Sequence, residues 1–355
     1  VALQIGIIGL PNVGKSTLFN ALTKMEVPAA NYPFCTIEPN QGVVLVPDPR
    51  LEMIAKVSKP KILTGDTIEF VDIAGLVPGA SKGEGLGNQF LAHIREVDAL
   101  AHVVRLFSDD KVVNHLGEID PIRDIEVIDL ELILADLEVI SRRRERTTRM
   151  LKTGKPSYRK ELELLQEYED ALQQGIPLRQ TALPQLGDLP LLSFKPVMYV
   201  ANVSEENAGA AQALIDWAKK EGATVIPIAA EFEMELSQLA PEEASLFRAE
   251  MGEDKPALHR LVAAGLELLD LITFYTIKGP ETRSWIISRG IPAPQAAGKI
   301  HTDMERGFIR AEVIPWDILV QEGSVAACRE KGLQRIEGKD YLVADGDVIF
   351  FRFNV

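Results

Sequence analysis

The 355-residue chain carries 38 Lys and Arg against 52 Asp and Glu, a formal net charge of −14, with 46% hydrophobic and 25% charged residues. That length exceeds one ordinary hydrophobic core, so two or three domains are expected, and the acidic balance excludes a surface that coats nucleic acid throughout. No apolar run approaches the roughly eighteen residues that span a bilayer. The two cysteines, Cys35 and Cys328, are too few for a disulfide framework. With no secretory-type leader before the first strand, the expectation is a cytoplasmic protein with no membrane contact and no disulfide-linked partner.

The first hundred residues alternate short Val- and Ile-rich runs with helical patterns. Leu3–Ile8, Gly42–Val46, Ile68–Val71 and Ala99–Leu106 read as strands buried on both faces of a parallel sheet. Ser16–Lys24, Arg50–Val57 and Gly87–Glu96 read as the helices between them, so this part is expected to be an α/β doubly wound domain. From Ile125 to Leu151 apolar residues recur three or four apart, which predicts a long amphipathic helix. A break containing Gly154 and Pro156 and a second helix, Tyr158–Gln174, complete an antiparallel helical hairpin. The α/β pattern resumes at Val197–Ala201, Ala208–Glu221 and Thr224–Ala229. Helical patterns at Pro241–Met251 and Lys255–Leu271 lead out of it. The last part, Ile272–Val355, reads as short strands around one or two short helices. The expected domains are therefore 1–124 and 191–271 as two parts of one α/β domain, 125–190 as an inserted hairpin, and 272–355 as an α+β module.

Chemistry concentrates at Gly9-Leu-Pro-Asn-Val-Gly14-Lys15-Ser16-Thr17, which matches G-x-x-x-x-G-K-[ST] between a strand and a helix. The glycines let successive backbone N–H groups turn toward one phosphate. Lys15 adds charge at the terminal phosphates, Ser16 offers a hydroxyl to Mg²⁺, and the helix N-terminus favours anions. Asp72-Ile-Ala-Gly75 follows the third strand, where the carboxylate can hold the magnesium's water shell and the Gly75 N–H can sense a γ-phosphate. Between them lies Asn31-Tyr-Pro-Phe-Cys-Thr36, a loop in which Thr36 is placed as a second magnesium ligand. Leu76 stands where Ras-like enzymes carry the glutamine that orients water, so another group must do that work or basal turnover is low. Asn202-Val203-Ser204-Glu205 occupies the strand end where guanine-specific relatives carry Asn-Lys-x-Asp. The longer Glu205 and the apolar Val203 weaken a guanine clamp, and recognition relaxed toward adenine is expected.

Arg142 to Lys160 holds nine basic residues against one acidic residue, Glu145. At the tip of a hairpin, in a chain of negative charge, that reversal predicts a basic finger for RNA phosphates.

Taken together these stretches resemble the YchF, or Obg-like ATPase, family within the translation-factor class of P-loop GTPases. The resemblance runs end to end. It is most specific at Gly9–Leu22, Ala30–Asn40, Glu69–Glu96, Pro294–Val313 and Glu337–Val355, the last two resembling the TGS module that ends family members. It implies a Ras-like P-loop NTPase domain with an inserted helical hairpin and a β-grasp-like TGS domain. It also implies hydrolysis of ATP in preference to GTP, and association with the ribosome through the basic hairpin Arg142–Lys160 and the TGS domain. Asn12, Val13, Gly14, Lys15, Ser16 and Thr17 would hold the phosphates, Ser16 and Thr36 the Mg²⁺, and Asn202, Val203 and Glu205 the base. Asn12 stands where potassium-activated GTPases place an asparagine beside a monovalent cation, which makes K⁺ a candidate activator. Family members lacking the glutamine are thought to use a loop histidine. Here the loop reads Val113-Asn114-His115-Leu116-Gly117, so His115 lies one position later than the family pattern. Lys15, Asp72, Gly75 and His115 are thus the candidate catalytic residues. The alternatives are a GTP-hydrolysing translation or ribosome-assembly factor, and a regulatory scaffold that binds nucleotide or RNA without turnover.

Overall fold

The computed structural model describes residues 3–24, 40–73, 86–108, 119–151, 155–204, 209–250 and 256–354. The predicted positions Thr36, Gly75, Leu76, His115 and Glu205 lie outside these residues. Along the chain, β1 (Gln4–Ile8) runs into α1 (Lys15–Thr23), and β2 (Gln41–Leu45), α2 (Pro49–Ser58), β3 (Ile62–Thr64) and β4 (Thr67–Asp72) follow. Next come α3 (Leu86–Glu96), β5 (Ala99–Arg105), α4 (Pro121–Leu151), α5 (Pro156–Gln173), β6 (Val197–Asn202), α6 (Gln212–Lys220), β7 (Val225–Ile228), α7 (Ala230–Leu236), α8 (Pro241–Glu250) and α9 (Ala257–Leu268). The C-terminal part holds β8 (Leu271–Lys278), β9 (Glu281–Ser288), α10 (Ala293–Ile300), α11 (Thr302–Arg306), β10 (Phe308–Pro315), α12 (Trp316–Glu322), α13 (Val325–Glu330), β11 (Arg335–Glu337) and β12 (Asp347–Phe353). Four short helices stand there where sequence patterning predicts one or two, because each is under nine residues and too brief to show a periodicity.

Two compact units share these elements. The first comprises the described residues up to Gly42 together with Glu69–Leu261; the second comprises Val43–Ile68 and Val262–Val355. In the first, the strands run β2-β4-β1-β5-β6-β7, with β1 paired in parallel to β4 and β5, and β5–β6 and β6–β7 also parallel. Every residue of β5 and β6 is buried, as expected of strands covered on both faces. The strand order reverses around β1, so the turn after β1 opens at the switch point where α/β sheets bind ligands.

The hairpin belongs to this unit. Ile133, Ile140, Leu165, Tyr168 and Leu172 close its two helices on each other, and the returning segment adds Leu178, Leu189 and Leu191. A buried carboxylate secures that return. Asp136 accepts from the Leu192 N–H at 2.8 Å, the Ser193 N–H at 2.7 Å and the Ser193 hydroxyl at 2.6 Å. Burial pushes the Asp136 carboxyl above its ordinary range, and the Ser193 and Leu192 bonds pull it back.

The second unit is a mixed sheet of order β11-β10-β12-β8-β9-β3. One face carries Phe274, Ile287, Ala296, Ala311, Val313 and Ile349. On the other, Leu51 and Ile54 of α2 join Tyr275, Ile314, Leu319 and Val348. The membership of Val43–Ile68 is not evident from chain order, since this segment opens with most of β2 and closes with the first residues of β4, two strands of the first sheet. Its polar ties explain it: Arg50 bonds Asp48 and Asp345, the latter at 2.7 Å, the Tyr275 hydroxyl donates to Asp48, and Thr64 donates to Glu281. Asp345 also accepts from the Thr273 N–H at 2.9 Å.

Candidate active site

Gly9 leaves β1 at φ 153°, and an added Cβ there would lie 2.5 Å from the Val103 carbonyl oxygen. Gly14 adopts φ 94° at the start of α1, where a Cβ would meet the Asn202 amide nitrogen at 2.2 Å. Both positions therefore demand glycine twice over, by backbone conformation and by space. Asn12, between them, takes φ 64°, a left-handed conformation that asparagine tolerates. Val13 is buried, and Thr17 sits in the first turn of α1.

Lys15 is only 8% exposed and donates from Nζ to the Leu10 carbonyl at 2.9 Å, so its ammonium is held beneath the turn. Burial pushes its pKa down, opposed by the charge of Asp72. Asp72, at the end of β4, accepts from the Ser16 hydroxyl at 3.1 Å through Oδ2. Its Oδ1 is buried without a hydrogen-bond partner. Burial raises the Asp72 pKa, opposed by Ser16 and Lys15. A buried cation and a half-buried carboxylate, each driven toward neutrality by desolvation, are poised for partners that restore their charge. A polyphosphate suits the first. A hydrated divalent cation suits the second: the orphaned Oδ1 and the Ser16 hydroxyl form an oxygen-only donor set of the kind Mg²⁺ takes.

Asn202 and Val203 lie at the end of β6, both buried. The Asn202 side chain donates from Nδ2 to the Val13 carbonyl at 2.9 Å and accepts at Oδ1 from the Ala230 N–H at 3.1 Å. The residue read from the sequence as a base contact braces the phosphate turn against the start of α7. Its partner at position 230 is a backbone N–H, which no side-chain pattern reveals. The buried His102 of β5 is a further feature the sequence reading passes over, although it interrupts an apolar run. Its pKa is pushed down to about 3, first by burial and then by the charges of Arg179 and Lys15. Its ring lies 5.8 Å from that of Tyr199. It is a neutral core residue and a poor proton acceptor at neutral pH.

The basic hairpin differs from its sequence reading. Arg142 pairs with Glu138 and Arg149 with Glu145, each on its own helix. Arg143 reaches Glu161 at 2.6 Å and Asp188 at 2.8 Å, and Arg144 reaches Glu169. Four of the eight basic residues described there are thus matched by carboxylates, and Lys152 lies outside the described residues. Arg146, Lys155, Arg159 and Lys160 are exposed and have no ion-pair partner among the described residues. Among those residues, no helix is long and apolar enough to cross a membrane.

The glycine-dependent turn between β1 and α1, with Lys15, Ser16 and Asp72 gathered at it, defines the class: the first unit is a P-loop nucleoside triphosphatase domain. Comparison with known proteins agrees. Residues 4–156 match a family model described as 50S ribosome-binding GTPase, and residues 271–354 match the YchF GTPase C-terminal model, described as a protein of unknown function (DUF933). The Ribosome-binding ATPase YchF of Haemophilus influenzae is 48% identical over 363 residues, and that of Bacillus subtilis 47% over 367, with both chains covered completely in each case. The solved structure of the Schizosaccharomyces pombe YchF GTPase superposes with a TM-score of 0.89 at 35% identity, covering 99% of this chain and 97% of that one. The chain belongs to the YchF family.

Proposed function

We propose that this protein is a Mg²⁺-dependent ATPase, slow on its own, that works as a ribosome-associated nucleotide switch in the cytoplasm and prefers ATP to GTP. The observation that carries the hydrolase reading is the group formed by Lys15, Ser16 and Asp72, with one buried carboxylate oxygen unpartnered. Asn12 to Thr17 would cradle the phosphates, and Ser16 and Thr36 would hold the magnesium ion with Asp72 behind them. When bound, that ion supplies positive charge beside the terminal phosphates. Lys15 neutralises charge that develops on the transferred group, and the Gly75 N–H registers the γ-phosphate.

The ATP preference rests on Val203 and Glu205, in place of the Lys and Asp that clamp guanine, and on the ATPase names of the curated relatives. Calorimetric titration of the full chain with ATP and with GTP tests it: tighter ATP binding is expected, and equal or reversed affinities refute it. With leucine at position 76, His115 is assigned to orient the attacking water. His115→Ala should lower turnover at least tenfold, and unchanged basal and ribosome-stimulated rates would remove it from the mechanism. Asn12 makes potassium a candidate activator, an assignment that equal rates in sodium and potassium buffers would abolish.

The ribosome reading rests on the relatives' names, the family model and the exposed basic residues of the hairpin. The RNA-facing residues are assigned to Arg146, Lys155, Arg159 and Lys160, since Arg143 and Arg144 are occupied within the hairpin. The C-terminal module, the TGS domain in this reading, shares the contact.

A further inference from the structure

Glu312 of β10 is nearly buried, with its side chain 9% exposed, and three arginines from three separate elements converge on it. Arg352 of β12 grips it with a two-pronged fork, Nε to Oε1 at 2.9 Å and Nη2 to Oε2 at 3.0 Å. Arg310 of β10 reaches Oε1 at 3.4 Å and Arg329 of α13 reaches Oε2 at 3.8 Å. Gln334 completes the group, donating to Glu312 at 3.3 Å and accepting from Arg329 Nε at 2.9 Å. The Glu312 pKa is held below the usual carboxylate range, first by the Arg352 bond. Three cations share one anion, so the cluster carries two surplus positive charges in a chain of net charge −14.

That surplus is costly to the fold. Arg310 and Arg352 face each other directly across the antiparallel pair, an arrangement of like charges that destabilises a sheet. The three arginine side chains are half exposed or more, so the N–H donors not committed to Glu312 or Gln334 are open to a ligand from solvent. Arg335 of β11 provides the contrast. It lies near both Glu337 and Asp347 and beside the Tyr341 ring, so its charge is balanced within the protein. Opposite Glu312 in the register stands Ile336, 68% exposed, which sets an apolar surface beside the guanidiniums.

We infer that Arg310, Arg329 and Arg352 form a binding surface for the phosphate backbone of RNA, with Glu312 presenting them. Planar guanidiniums with free donors bind phosphate oxygens bidentately, and two surplus charges neutralise about two phosphates. The exposed Ile336 beside them offers a face for a sugar or a base. The inference rests on the ribosome reading and adds to it a second surface, separate in sequence from the hairpin, with its own residues.

The test measures binding of the full-length protein to a fluorescent single-stranded 20-nucleotide RNA, to an RNA duplex and to purified 50S subunits across a salt series. The double variant Arg310→Gln/Arg329→Gln leaves the Arg352–Glu312 fork in place. It should weaken RNA binding on the order of tenfold at 0.1 M salt and flatten the log–log salt slope by about 1.4–1.8, since each phosphate contact contributes about 0.7–0.9. Arg310→Lys/Arg329→Lys keeps the charge and should keep the slope. If the glutamine pair perturbs folding, Arg329→Gln alone, whose ion pair is the longest, should flatten the slope by about 0.7–0.9. An unchanged slope in a folded glutamine variant overturns the inference. So does a loss confined to 50S subunits with naked RNA unaffected, which would assign the surface to an acidic ribosomal protein. Failure of the wild-type chain to bind 50S subunits would instead refute the ribosome reading, whatever the RNA titration shows.

Discussion

The hairpin and the C-terminal sheet distribute positive charge in opposite ways. In the hairpin, nine basic residues crowd into nineteen positions of sequence, yet folding brings carboxylates from Glu138, Glu145, Glu161, Glu169 and Asp188 against four of the arginines that stand there. In the sheet, Arg310, Arg329 and Arg352 are spread over more than forty residues, and folding gathers them around one glutamate. Density along the chain therefore overstates the first surface and hides the second. Charge in sequence is a count, whereas binding depends on which counter-charges the fold supplies.

Breaking the hairpin's attachment should have the largest effect. Asp136→Ala removes a buried carboxylate that holds three donors, Leu192 N–H, Ser193 N–H and Ser193 Oγ–H, and strands those donors. A loss of roughly 2–4 kcal/mol in urea unfolding is expected, from the cost of leaving buried partners of a charged group unsatisfied. If the hairpin's arginines serve its fold, Arg143→Glu comes next. It should cost about 1 kcal/mol through the partly exposed pairs to Glu161 and Asp188, with a melting temperature that falls before any change in RNA binding is interpretable. Replacing Arg146, Arg159 and Lys160 together with glutamine should instead leave the melting temperature within about 1 °C and flatten the RNA salt slope by about 2 or more. A hairpin whose melting temperature is indifferent to Arg143→Glu would erase the contrast with the C-terminal sheet.

The two clusters also share an acid limit. The pKa values of Glu161 and Glu312 are both depressed, chiefly by their arginine hydrogen bonds. The stability they contribute is therefore present above the ordinary carboxylate range and is lost as pH falls below about 4.5 through their folded values. Asp72 behaves oppositely. Its raised pKa means that the nucleotide-free protein loses stability as pH rises from about 3.8 through the folded value. Asp72→Asn should accordingly raise the melting temperature of the nucleotide-free protein at neutral pH, by roughly 1–3 °C, while abolishing turnover. The difference should vanish at acid pH.

How much of this was readable in advance depends on whether backbone or tertiary contact encodes it. The phosphate turn was legible because Gly9 and Gly14 are required by conformation and close approach, and Lys15 and Ser16 follow at fixed positions on α1. The parallel sheet was legible because β5 and β6 are buried throughout and read, His102 aside, as apolar runs up to their terminal Arg105 and Asn202. Long-range partners were not legible. Val43–Ile68 joins the second unit through Asp48, Arg50 and Thr64, whose partners lie more than two hundred residues away. The double hold of Asn202 on Val13 and Ala230 was equally hidden, one partner being a carbonyl and the other an N–H. Neither the short β3 nor the seven-residue α7 is long enough to show periodicity.

The most direct test of the central claim is phosphate release by the full-length protein in the presence of magnesium, from ATP and from GTP, with and without 50S subunits, beside Lys15→Ala. Slow release from ATP that rises when 50S subunits are added, slower release from GTP, and loss of both in the variant are expected. Undiminished release by Lys15→Ala, or release from GTP exceeding that from ATP, would contradict the claim.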